Sequence, residues 1–325
     1  MRIYFVVLIC LAATLSASAQ NRSGITGKKD TSFNNYSTFI STKKQFPDIQ
    51  MVKDVPSADV REVRNLVYCK SANGPLHLDV FAPQKPRRSK MPAVVIVHGG
   101  GWRTGDRSQH VPLARELAKA GYVAITVEYR LSTIALYPAA VNDVKAAVRW
   151  TRGNAEKYKI DKERVAVLGF SAGGELAAFT GITNGIAGFE GSGCNKGQSS
   201  AVQAIVDIDG ILSFTHPESD EGNDSKGTSA ATYWFGYSKK DNPELWNSAS
   251  SLTYADNAKV PMLFLNSSAD RMHAGRDDLI KILQVKHIYT EVHKFEGAPH
   301  VFCLFEPWFT PTVNYVVDFL NKALK

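Results

Sequence analysis

Five short apolar runs recur along the chain, at residues 93–97, 123–127, 165–168, 204–208 and 262–265. None alternates polar with apolar, so each reads as a strand buried on both faces, as in a parallel sheet. Two further strand-like segments, 66–69 and 76–81, precede them, and 290–295 follows. Helical spacing fills the gaps. Val141, Val144, Val148 and Ala155 follow it after Pro138, and Val313, Val316, Val317, Leu320 and Leu324 make one apolar face near the end. Thr310 is the expected cap of that last helix, with Pro311 in its first turn. Strand–helix alternation over some 250 residues predicts a doubly wound α/β sheet with helices on both faces.

The flanks break this rhythm. Residues 1–19 carry Arg2, then an apolar stretch, then Ala17-Ser18-Ala19, the pattern of a secretory signal peptide cleaved near Ala19. A lipoprotein signal ending at Cys10 is the rival, disfavoured by bulky Ile9. Residues 20–60 are polar and aperiodic and read as an arm or linker, leaving 61–325 as the α/β domain. Segments 183–200 and 214–258 are long and irregular, as functional loops or lids are. No later segment is apolar enough to span a bilayer. The expected location is therefore periplasmic or secreted.

Composition narrows the picture modestly. Among 325 residues, 38 Lys and Arg exceed 31 Asp and Glu by 7, without a basic block. A solvated basic surface accounts for that surplus better than nucleic-acid binding does. Cys69, Cys194 and Cys303 remain after the signal and allow at most one disulfide within the chain. The histidines form no metal-ligand spacing, so no metal is expected.

Two motifs carry chemistry. Gly169-Phe170-Ser171-Ala172-Gly173 follows a buried run and precedes a helix. Glycines on either side permit the sharp turn that holds a nucleophilic serine at the carboxyl end of a sheet. His98-Gly99-Gly100-Gly101-Trp102 follows another run. Its glycines let amides approach an oxyanion, so Gly100, Gly101 and Ala172 are the expected donors. A dinucleotide loop would need glycine or alanine where Thr104 stands, and no cofactor is expected. His98 is read as structural. His300, in a loop before the last helix, is the expected base, and Asp270, beyond the run 262–265, the expected acid. Asp277 and Asp278 compete for that role but fit a solvated helix better. Trp102 and Trp234 are the candidate substrate-binding faces. Asp143 and Arg130 suit a structural contact.

The order His98-Gly-Gly-Gly-Trp, Tyr129-Arg130-Leu131-Ser132, Tyr137-Pro138-Ala139-Ala140, Asp143, Gly169-Phe-Ser-Ala-Gly-Gly and Pro299-His300 resembles the hormone-sensitive-lipase-like α/β-hydrolases. Within them it looks most like bacterial carbohydrate esterases of the acetyl-xylan and feruloyl type. The resemblance covers roughly residues 65–325. It implies a cofactor-free serine esterase that removes acetyl or hydroxycinnamoyl groups from plant cell-wall polysaccharide. Glu175 departs from the pattern, since relatives commonly carry His or Asn there. The 214–258 segment departs as well, and both bear on which ester is cleaved. A general short-chain carboxylesterase or lipase is the nearest alternative. A peptidase of the same fold and an inactive glycan-binding relative are weaker ones. Because the base must be neutral, activity should fall on the acid side.

Overall fold

In the computed structural model, residues 19–86, 88–191 and 193–325 are described, so the signal-peptide expectation lies outside them except at its last residue. Among the described residues ten strands form: β1 (Gln50–Met51), β2 (Val60–Ser71), β3 (Gly74–Pro83), β4 (Met91–Val97), β5 (Val123–Val127), β6 (Ile160–Phe170), β7 (Ala204–Ile208), β8 (Met262–Asn266), β9 (Thr290–Lys294) and β10 (Phe305–Glu306). All five apolar runs lie in strands, and β4, β5, β7 and β8 are buried at every position. Eight strands make one sheet in the order β2-β3-β5-β4-β6-β7-β8-β9, antiparallel at β2-β3 and β3-β5 and parallel from β5 onward.

Helices cover both faces, because neither face carries enough polar side chains to meet water. The helices are α1 (Asn35–Thr42), α2 (Val111–Lys119), α3 (Ala139–Gly153), α4 (Ala155–Tyr158), α5 (Ala172–Ile182), α6 (Ala230–Phe235), α7 (Pro243–Ser248), α8 (Arg276–Val285) and α9 (Phe309–Ala323). Val94 and Ile96 of β4 pack on one side with Leu117 of α2 and Leu320 of α9. Val95 and Val97 pack on the other with Val148 of α3 and Leu176 of α5. The chain leaves β4 to one side for β5 and to the other for β6. In open α/β sheets that reversal opens a crevice at the carboxyl ends of the central strands. His98 follows β4 there and Ser171 follows β6.

Three expectations need amendment. α9 begins at Phe309 with Trp308 at its N-cap, so Thr310 lies inside the first turn, where its amide donates to the Glu306 carboxylate at 3.3 Å. The 20–60 arm is docked. Asn34 caps α1 with Ser37, Phe39 meets Phe305 at 5.7 Å, and β1 pairs with β10. The 214–258 segment holds α6 and α7 around fully buried Trp234 and Trp246. Cys69 and Cys194 form a disulfide, and Cys303 is free and buried.

Candidate active site

Ser171 sits between β6 and α5 with φ 57° and ψ −123°, the strained turn that lifts its hydroxyl off the sheet. The residues two places away on either side must be glycine. A Cβ on Gly169 would lie 1.8 Å from the Gly173 carbonyl oxygen, and one on Gly173 would lie 2.2 Å from that of Val97. No rearrangement short of moving strands would relieve either contact.

His300 Nε2 lies 2.8 Å from Ser171 Oγ. Its other nitrogen, Nδ1, lies 2.9 Å from Asp209 Oδ2. Asp209, rather than Asp270, therefore occupies the acid position. Asp209 directly follows β7, is fully buried, and adopts φ 51°, a left-handed conformation that Asp tolerates better than most residues. Its Oδ1 accepts from the Ser267 amide at 2.8 Å, which fixes the carboxylate. Asp270 lies one loop further on, with its side chain 81% exposed and His273 3.5 Å away. The loop after β8 begins a 3-10 turn at Asp270 and carries that side chain into solvent. One signal for Asp209 was present in the chain: an acidic residue and a glycine standing immediately after a buried run.

The glycine loop and the start of α5 meet beside Ser171. Gly100 and Gly101 have φ of 127° and 59°, and both line the same cavity as Ser171, Ala172 and His300. Among the described residues the Gly100 and Gly101 amides have no protein acceptor. The Ala172 amide is the first of α5, where a helix offers no acceptor of its own. His98 is buried, with Nδ1 2.9 Å from the Gly99 carbonyl and its ring stacked on Tyr129, and burial pushes its pKa down to about 4. It belongs to the scaffold of the loop.

The two tryptophans divide. Trp102 lines the cavity, whereas Trp234 is fully buried behind it and stacks on it at 4.9 Å. Trp234 thus supports the wall rather than touching a ligand. Trp102 Nε1 donates to Glu175 Oε2 at 2.8 Å. Burial drives the Glu175 carboxyl well above its ordinary range, with this hydrogen bond opposing. The same holds for Asp207 beneath the turn, where the Gly210 amide opposes. Partly buried Arg130 and buried Asp143 form an ion pair at 2.7 Å, away from the cavity-lining residues. Asp277 and Asp278 open α8 and are exposed enough to be solvated.

The cavity, about 360 Å³, is also lined by residues that no local motif marks: Phe33 of the arm, Glu221, Arg271 and Met272. Among the described residues no group of three acidic, His or Cys side chains could hold a metal, and no helix is long and apolar enough to cross a membrane.

Sheet order, strained serine turn and free amides together define an α/β-hydrolase. More narrowly, the chain belongs to the BD-FAE family, whose model matches residues 78–279. It is 26% identical over 259 residues to the esterase LipC of Mycobacterium tuberculosis, an alignment covering 76% of this chain and 62% of LipC. The carboxylesterase NlhH of the same species is 44% identical over 92 residues, 28% of this chain and 29% of NlhH. The chain thus spans less than two thirds of either relative. A truncated carbohydrate esterase from gut microbiota shares the fold with a TM-score of 0.70 at 24% identity, covering 82% of this chain and 99% of that one.

Proposed function

We propose that the protein is a serine carboxylester hydrolase in which Ser171, His300 and Asp209 act together. The observation that carries this reading is the unbroken line from Asp209 through His300 to Ser171, with steps of 2.9 and 2.8 Å, beside three unpartnered amides. His300 takes the hydroxyl proton as Ser171 Oγ attacks the ester carbonyl, and Asp209 holds the imidazole and balances the charge it gains. The Gly100, Gly101 and Ala172 amides receive the oxyanion; losing one such donor costs roughly 3–4 kcal/mol in related chemistry. Collapse transfers the His300 proton to the leaving alcohol, and water repeats the cycle on the acyl-enzyme.

For substrate, we propose acetyl or feruloyl groups on plant cell-wall polysaccharide, outside the cytoplasm. The sequence resemblance and the mixed polar and apolar lining of the cavity support the substrate. The Cys69–Cys194 bridge supports an oxidising compartment. The test is hydrolysis of 4-nitrophenyl acetate, acetylated xylan, acetylated pectin and methyl ferulate by the wild type and Ser171→Ala. Loss of all turnover in the variant is expected, and the preferred polymer names the ester. Equal rates in both proteins would overturn the nucleophile.

A further inference from the structure

Two charged residues from distant parts of the chain meet inside the cavity. Glu221 comes from the segment between β7 and α6, and Arg271 from the 3-10 turn after β8. Arg271 Nη1 donates to Glu221 Oε1 at 3.2 Å, the one hydrogen bond that either head group makes among the described residues. Glu221 Oε2 and the rest of the guanidinium are left without a protein partner. The Glu221 side chain is 16% exposed and that of Arg271 50%, so the pair is sheltered on its acidic side and open on its basic side.

The scaffold explanation accounts poorly for this pair. A single-point ion pair with one half-exposed partner contributes little to stability. Burial, meanwhile, pushes the Glu221 carboxyl up, with Arg271 pulling it back. The arrangement leaves a strong acceptor and a strong donor side by side, one that a ligand could satisfy. Its net charge is close to zero, so an anion gains nothing at Arg271 without repulsion from Glu221. Neighbouring hydroxyls suit it better: one can donate to Glu221 while the other accepts from Arg271.

Position decides which half of an ester meets the pair. His300 delivers its proton to the leaving oxygen, so the alcohol lies on the His300 side of Ser171. Glu221 and Arg271 line the same cavity as Ser171 and His300. Resting on the esterase reading above, we propose that Glu221 and Arg271 form a subsite for the alcohol moiety that reads adjacent hydroxyls of a sugar ring, and so set the enzyme's preference for carbohydrate esters.

The test compares methyl β-xylopyranoside carrying one acetyl group with cyclohexyl acetate, which matches it in ring size and lacks hydroxyls. kcat/KM is measured on both for the wild type, Glu221→Gln and Arg271→Met. The ratio of the two values is internal to each protein, so partial misfolding cancels. The wild type should favour the sugar ester. Each variant should lose at least tenfold of that ratio, about 1.4 kcal/mol, mostly through KM. A wild type that does not favour the sugar ester, or a ratio unchanged in both variants, overturns the subsite. If Ser171→Ala is inactive in that same experiment, the esterase reading survives alone. If Ser171→Ala keeps wild-type rates, both fall.

Discussion

At the scale of single residues, the acid of the site is the point where local pattern and three-dimensional placement part. Asp270 follows an apolar run at the distance expected of a triad acid, yet its side chain is 81% exposed. Asp209 ends the neighbouring strand and reaches His300 Nδ1 at 2.9 Å from full burial. Two strands side by side, each followed by an aspartate, cannot be told apart by spacing. The left-handed turn at Asp209 and the outward 3-10 turn at Asp270 make the choice. Asp209→Asn should leave the imidazole in the wrong tautomer and lower kcat on 4-nitrophenyl acetate by about 10³–10⁴-fold. Asp270→Asn should stay within about twofold of the wild type. Steady-state rates of the two variants measured side by side decide it; a reversed ranking would return the role to Asp270.

At the scale of elements, the sheet was legible because buried parallel strands are continuous apolar runs, a signal that survives without context. The serine turn and glycine loop were legible because their backbones admit few residue types. The arm was not legible. Its anchors, Phe33, Phe39, Phe46 and Ile49, are spaced without period among polar residues, and only the docked surface gives them meaning. Thr104 joins this arm to the glycine loop. Its hydroxyl accepts from the Phe33 amide at 3.1 Å and lies 3.2 Å from Asp30 Oδ1, while the Gly105 amide donates to the Asp30 carbonyl at 2.9 Å. Thr104→Val keeps the volume and removes the hydroxyl. It should loosen Gly100 and Gly101 and lower kcat on 4-nitrophenyl acetate about tenfold, with KM changed less, since misplaced oxyanion donors act on the transition state. Hydrogen exchange should show lost protection at the Phe33 and Gly105 amides. Unchanged kcat with lost protection would mean that the arm does not position the loop.

For the whole molecule, ionisable groups locked inside the fold set opposing dependences on pH. Burial lowers His98 to about 4 and His110 to about 3, so the folded chain holds both neutral where the unfolded chain would protonate them. Below about pH 6.5 the unfolded state binds the extra protons, and stability falls with pH until the folded values are reached. Glu175 and Asp207, raised by burial, act the other way: they keep protons in the fold that the unfolded chain releases, and favour lower pH. With Asp143 and Glu221 also raised and Glu62, Glu128 and Glu190 lowered, a profile of the wild type alone mixes many contributions of two signs. A difference between two proteins separates them. His110 packs edge-on against Phe170, just before Ser171, and its Nε2 has no partner among the described residues, so a phenyl ring can take its place. In His110→Phe the other contributions persist and cancel in the comparison. The stability of the wild type relative to the variant, from urea midpoints, should be constant above about pH 7. It should then decline by about 1.4 kcal/mol per pH unit between about pH 6 and 4. A flat difference across that range would mean that His110 takes up its proton within the folded state.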